Sequence, residues 1–337
     1  MRTILLVGGA GYIGSVLSSY LLQKSYRVRV LDALLYQNGC CILPNLSNPN
    51  FEFMLGDFTC EKSTKLALKD ITDVIILAGL VGDPITKKYP EISDKINFNG
   101  LSQFINQLSN FTLNKVIFIS TCSNYGLIQE DILADEKTPL KPLSLYAKAK
   151  VSIENLLLSK KNNVDYCGTI LRFATAFGVS PRMRFDLSVN EFVRELYFGN
   201  ELVVYDHETW RPYCHVLDFA LALQKVLEAR AEKVYFEVFN AGSEKNNATK
   251  KMLIDTVLQY IPKGKVRYQQ HGSDPRNYRV NFEKIKKALD FEPHYSISDG
   301  VSEILHALKN NCFADFSHRT NFYGNHELEY KKELEMV

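Results

Sequence analysis

The chain has 337 residues, of which 46% are hydrophobic and 23% charged, with a formal net charge of +2. That length buries a large core and forms one large α/β unit or two intimate domains. A charge so near balance provides no basic field, which excludes nucleic acid as the expected partner.

In chain order, the first apolar run, Ile4 to Val7, passes directly into the turn Gly8-Gly9-Ala10-Gly11-Tyr12-Ile13-Gly14 and a helical stretch from Val16 to Gln23. This G-x-x-G-x-x-G spacing after a strand suits a dinucleotide pyrophosphate. Gly8 permits the tight turn, Gly11 lets the backbone approach the phosphates, and Gly14 lets helix pack on strand. The free N–H groups of the first helical turn then face the negative charge. The second strand, Arg27 to Leu31, ends at Asp32, about 20 residues beyond the glycines, where a carboxylate can accept hydrogen bonds from ribose hydroxyls. Asp32 would repel a 2′-phosphate, and no Arg or Lys occurs in residues 33–39, so NAD is expected rather than NADP.

Further strands are expected at Phe51 to Leu55, Val74 to Leu77, Lys115 to Ser120 and Tyr166 to Phe173. Between two of them Ile96, Leu101, Phe104, Ile105 and Leu108 mark one helical face. The alternation predicts an α/β fold, a doubly wound parallel sheet of Rossmann type, with its ligand crevice at the carboxyl ends of the strands. From about Val179 the pattern loosens into turn-rich, arginine-bearing segments, the expected smaller and discontinuous α+β lobe. Val216 to Ala229 reads as a helix and Val234 to Asn240 as a strand returning to the sheet. The expected division is residues 1–178 with about 214–240 as the nucleotide-binding domain, 179–213 and 241–311 as the substrate lobe, and 312–337 as a tail.

The seven cysteines are scattered and no C-x-x-C occurs, so neither a metal site nor a disulfide framework is expected. A strand at the very N-terminus leaves no room for a signal peptide, and no apolar run approaches about 18 residues. A cytoplasmic protein without a membrane partner is expected.

The turn Gly8 to Gly14, Asp32, Asp57, Leu77-Ala78-Gly79, Asn97, Ser120 to Gly126 and Tyr146-Ala147-Lys148-Ala149-Lys150 resemble, in this order, the extended short-chain dehydrogenase/reductases. More narrowly they are similar to the nucleotide-sugar epimerase/dehydratase branch, with Ile76-Leu77-Ala78-Gly79 in place of the usual His-Leu-Ala-Ala. The resemblance implies NAD held by Gly8, Gly11, Tyr12, Ile13, Gly14, Asp32, Asp57, Phe58, Leu77, Ala78 and Lys150. It also implies Tyr146 as the acid/base and Thr121 as the hydroxyl that bonds the reacting oxygen. Tyr146 and Lys150 lie four residues apart and share a face if helical, which is the arrangement by which an ammonium lowers a phenol's pKa from about 10.

After Thr121, dehydratases of this branch carry Asp-Glu. Cys122 and Ser123 stand there instead, so dehydration and decarboxylation are disfavoured and these two residues are expected to border the substrate. The resemblance also places Asn190, Arg182, Arg211 and Arg276 on the sugar and diphosphate, where guanidinium forks match paired oxygens. His215 is expected to be structural. The implied activity is NAD-dependent oxidation at C4 of a nucleotide-diphosphate sugar. Ser180 to Asn190 and Trp210 to Val216 resemble heptose-modifying 4-dehydrogenases of capsule polysaccharide biosynthesis, which suggests a GDP-heptose. A 4-epimerase is the near alternative, and a non-catalytic NAD(H)-binding regulator a distant one. In relatives the helices near Ile96 to Leu108 and Tyr146 to Leu158 pair into a four-helix bundle, so a homodimer is expected, with a tetramer as the alternative.

Overall fold

A computed structural model describes residues 2–129, 132–272 and 274–328. Its central sheet contains β1 (Thr3–Val7), β2 (Arg27–Asp32), β3 (Phe51–Leu55), β4 (Asp73–Ile76), β5 (Lys115–Thr121), β6 (Cys167–Phe173) and β7 (Glu237–Ala241). The spatial order is β7-β6-β5-β4-β1-β2-β3, with every pairing parallel. Order reverses between β1 and β4, so the crevice opens where a doubly wound sheet binds its ligand.

β5 and β6 are buried at nearly every position, as continuous apolar runs in a parallel sheet must be. One apolar layer packs the helices Tyr12–Gln23 and Val216–Glu228 against the sheet through Leu17, Leu21, Phe219 and Leu223. The opposite layer holds Leu101, Phe104, Ile153 and Leu157. The expected strands stand within a residue or two of their predicted bounds, except the last. There, residues Ala231–Val234 form a short helix before β7 begins at Glu237.

The less regular segments build a second apolar cluster around Phe177, Met183, Phe185, Phe192, Tyr213, Leu253 and Ile304. Trp210–His215 pairs in parallel with Thr175–Phe177 and antiparallel with Asn247–Thr249, and so lies outside the central sheet. Residues 312–328 are not a free tail. Phe322 and Tyr323 join the second cluster, Phe185 N donates to the Tyr323 carbonyl at 2.7 Å, and Asn325 enters the central cleft. Aromatic side chains at Phe313, Phe316, Phe322 and Tyr323 drive this docking. Residues 329–337 of the expected tail lie outside the described residues. Among the described residues no helix is long and apolar enough to cross a membrane.

Candidate active site

A cleft of about 580 Å³ runs across the carboxyl ends of the central strands. Its first wall is backbone. Gly8, Gly11, Tyr12, Ile13 and Gly14 line it where β1 turns into the helix Tyr12–Gln23. A side chain at Gly14 would meet Gly9 Cα at 2.6 Å and the Gly8 carbonyl at 2.7 Å, so only glycine lets the helix begin so close to the turn. Both Asp32 oxygens are fixed, Oδ2 by Ala10 N at 2.9 Å and Oδ1 by Leu34 N at 2.8 Å. Burial pushes this carboxyl up, while those two donors and the Arg182 charge hold it back.

Asp57, Phe58, Leu77 and Ala78 complete the wall, and Asp57 Oδ1 accepts from Thr59 N at 2.8 Å. Gly79 accounts for the last residue of the departure from His-Leu-Ala-Ala. Its φ is +146°, and a Cβ would approach Asn97 Oδ1 at 2.9 Å, the oxygen that receives Leu80 N. These residues fit a dinucleotide. The helix start has no capping side chain and no acid in its first turn, and the buried Tyr36 Oη and Asn38 Oδ1 have no protein partner.

At the far end of β5 lies a cluster of hydroxyls with a buried lysine. Thr121 Oγ1 and Ser123 Oγ share a hydrogen bond of 2.9 Å, and both border the cleft with Tyr146 and Lys150. Ser144 caps the helix Leu145–Ser159 through Ala147 N, which sets Tyr146 in the first turn and Lys150 one turn on. Lys150 Nζ donates to the Ile119 carbonyl at 2.8 Å and lies 5.7 Å from the Tyr146 ring centre. One more turn along, buried Glu154 pairs with Arg172 at 2.7 Å and accepts from Asn124 at 2.8 Å and from Ser120.

Burial lowers Lys150 to about 7, with Glu154 opposing. The Tyr146 phenol moves up, not down: burial is the main cause and Asp83 the second, against Arg184 and Arg276. The expected lysine effect is therefore corrected, because enclosure of the hydroxyl outweighs the neighbouring cations.

The second wall is built from ion pairs. Asp274 binds Arg211 at 3.0 Å and Arg276 at 2.7 Å, and Arg276 reaches across to Asp83 at 2.7 Å. Arg184 pairs with Asp186 at 2.5 Å and, against the cost of burial, holds that carboxyl down to about 2. Arg182 lines the cleft at its Tyr36 end, 4.6 Å from that ring centre.

Two expected substrate contacts are corrected. Cys122 turns into the core and donates to the Arg172 carbonyl at 3.2 Å, because the single helical turn Cys122–Tyr125 rotates it away from Ser123. Asn190 is fully buried and spends its amide on Gly178 N, Tyr12 Oη and the Arg184 carbonyl. His215 caps Leu217 N and meets Glu303 at 2.8 Å, a structural arrangement outside the cleft. Tyr36, Asn38, Asp186, Lys250, Tyr278 and Asn325 also line the cleft and were missed. Only the first two carried a usable signal, their closeness to Asp32 in sequence.

The family model for the NAD dependent epimerase/dehydratase family matches residues 4–242. The chain therefore belongs to that family, and NAD is its cofactor. A UDP-glucuronate 4-epimerase of Thermodesulfobacterium geofontis is 26% identical, with 92% of this chain and 97% of that protein covered. The crystal structure of UDP-glucuronic acid 4-epimerase from Bacillus cereus, in complex with UDP-glucuronic acid and NAD, superposes with a TM-score of 0.83. Its identity is 25%, and 92% of this chain and 99% of that one are covered. dTDP-glucose 4,6-dehydratase from Bacillus anthracis is 24% identical, covers 93% and 98%, and has a TM-score of 0.81, a likeness of fold alone.

Proposed function

We propose that this protein oxidises the C4 hydroxyl of a nucleoside-diphosphate sugar. The observation that carries the reading is one cleft joining the Thr121, Ser123, Tyr146 and Lys150 cluster to the Arg211 and Arg276 pair. NAD, when bound, supplies the hydride acceptor. The chain's residues handle the proton and the position. Thr121 and Tyr146 would hold the hydroxyl, and Tyr146 would take its proton as C4 becomes a carbonyl. Burial keeps the phenol protonated at rest, so its own proton would first pass to Lys150 in its neutral form, leaving the phenolate to take the C4 hydroxyl proton. Lys150, brought to about 7, titrates in the range where such a transfer is useful. Arg211 and Arg276 would exchange Asp274 for the diphosphate oxygens.

Two outcomes follow from the same first step. Return of hydride to the other face gives 4-epimerisation, which the names of the relatives support. Release of the 4-keto sugar gives net dehydrogenation, which the heptose-like stretches support, GDP-heptose included. Elimination of water is not supported, since Cys122 faces the core and no acid follows Thr121. A regulator would have no use for this proton-handling cluster. Exposed Phe98 and Leu145 support the proposed homodimer, which light scattering would test.

The deciding experiment offers GDP-, UDP-, CDP- and dTDP-sugars, a GDP-heptose among them, and follows reduced nicotinamide by absorbance and the product by NMR. A C4-inverted sugar or a 4-keto sugar supports the proposal. Loss of water from the sugar would overturn the exclusion of elimination, and sugars left unchanged at C4 across the whole panel would overturn the proposal itself.

A further inference from the structure

We propose that Arg182 binds the pyrophosphate of the dinucleotide from across the cleft, so that the second lobe holds NAD together with the glycine turn. The inference rests on the chain's NAD dependence and not on C4 chemistry. Its first support is how Arg182 is delivered. The segment from Gly178 is fastened onto the start of the helix Tyr12–Gln23. Ser180 Oγ donates to the Tyr12 carbonyl at 2.7 Å and shares a hydrogen bond of 3.1 Å with Ser15 Oγ. Tyr12 Oη donates to the Gly178 carbonyl at 2.6 Å. Arg182 follows two residues after Ser180 and lines the same cleft as the helix end, where a phosphate is favoured.

The second support is an incomplete coordination. Arg182 is 2% exposed, donates from Nη2 to Asn325 Oδ1 at 2.8 Å, and has no partner for Nε. Among the described residues no carboxylate lies within ion-pair distance of it, unlike Arg184, Arg211 and Arg276. Asp186 and Asp32 act on it only from beyond that distance, and a buried guanidinium with a spare donor and no directly paired carboxylate is costly unless an anion completes it. The uncapped helix end makes the same demand from the other side, and one dianion meets both.

Asp32 selects which anion. It stands in the same end of the cleft and repels a 2′-phosphate, which leaves the pyrophosphate. The sugar nucleotide's diphosphate has its own pair, Arg211 and Arg276. Burial lowers Arg182 to about 10, so it remains charged at neutral pH. Asn325 closes the arrangement by also donating from Nδ2 to the Val81 carbonyl at 2.7 Å, which ties the C-terminal segment to the dinucleotide side.

The test uses protein stripped of nucleotide, without any sugar. Calorimetry compares wild type with Arg182→Ala and Arg182→Lys for NAD, ADP-ribose and adenosine. For Arg182→Ala, binding of NAD and ADP-ribose should weaken about 10- to 100-fold while adenosine is unchanged. Arg182→Lys keeps the charge but not the fork, should fall between, and serves if the alanine variant fails to fold. NAD retained through purification should drop in the same order. Unchanged NAD affinity with a raised KM for a sugar nucleotide would return Arg182 to the substrate and overturn the proposal. An equal loss for adenosine would overturn it too, as damage to the whole site. Because binding is read without sugar, either outcome leaves the C4 reading to its own experiment.

Discussion

The two walls of the cleft are built by different physics. The dinucleotide wall is mostly main chain: a turn too tight for a Cβ at Gly14, an uncapped helix end, and an aspartate locked by two N–H donors. The opposite wall is mostly charge, with Arg184 held by Asp186, Arg211 by Asp274, and Arg276 by Asp274 and Asp83. A main-chain wall is preorganised and has little to rearrange, so its ligand gains affinity at low cost. A wall of paired ions must surrender internal partners before it grips a substrate. On the proposed assignment of ligands to walls, cofactor recognition rests mainly on backbone shape and substrate recognition on the choice of counter-ions, so the two can vary largely separately.

The largest expected effect lies where the walls meet. Tyr146→Phe should lower kcat about 10²- to 10⁴-fold while bound NAD and thermal stability stay at wild-type levels, measured by turnover, nucleotide content and Tm. Activity that survives the change would remove Tyr146 from the chemistry and favour the regulator. Next comes the ionic wall. Arg276→Ala should raise the sugar-nucleotide KM about 10- to 100-fold and leave NAD affinity alone, the signature of a lost charged contact. Gly14→Ala should do the reverse. Forcing a methyl against Gly9 should cost about 1–3 kcal/mol, read as a lower denaturation midpoint together with weaker NAD binding. If both variants moved NAD and substrate affinity together, the separation of the walls would fail.

Those walls also differed in how far they could be read from residues alone. The strand-turn-helix at Gly8 to Gly14, Asp32, and the Tyr146–Lys150 spacing are local, and each depends on backbone conformation that neighbouring residues dictate. The charged wall is local in Arg184–Asp186 and Asp274–Arg276, but Arg211–Asp274 and Asp83–Arg276 join it over long separations. Arg182 and Asn325, 143 residues apart, meet only because four aromatics dock the C-terminal segment, and no local pattern announces it. Cys122 and Asn190 show the other difficulty. Residue type and position suggested the cleft, yet one turn of helix at Cys122–Tyr125 sends the thiol inward. Asn190 is consumed in tying Gly178 and Tyr12 together. The direction of the Tyr146 shift was likewise hidden, because it depends on how tightly the surroundings enclose one oxygen.

Asp83 offers the smallest and most specific test, since it belongs to the first wall by position and to the second by charge. It begins the helix Asp83–Lys88 just after β4, yet its carboxylate crosses the cleft to Arg276. Its negative charge disfavours the Tyr146 phenolate, which burial already disfavours. Removing that charge in Asp83→Asn takes away one of the two causes that raise the phenol, so the phenolate forms at lower pH. Wherever activity rises with deprotonation of Tyr146, the rising limb of kcat/KM against pH should shift to lower pH in the variant. NAD affinity should not move, because Asp32 and the glycine turn are untouched. A limb that stays in place would mean that Asp83 is neutralised by Arg276 before it is felt by Tyr146. The ion pair would then be a purely structural tie between the walls, and the two recognition surfaces would be linked mechanically without sharing any influence on the reacting proton.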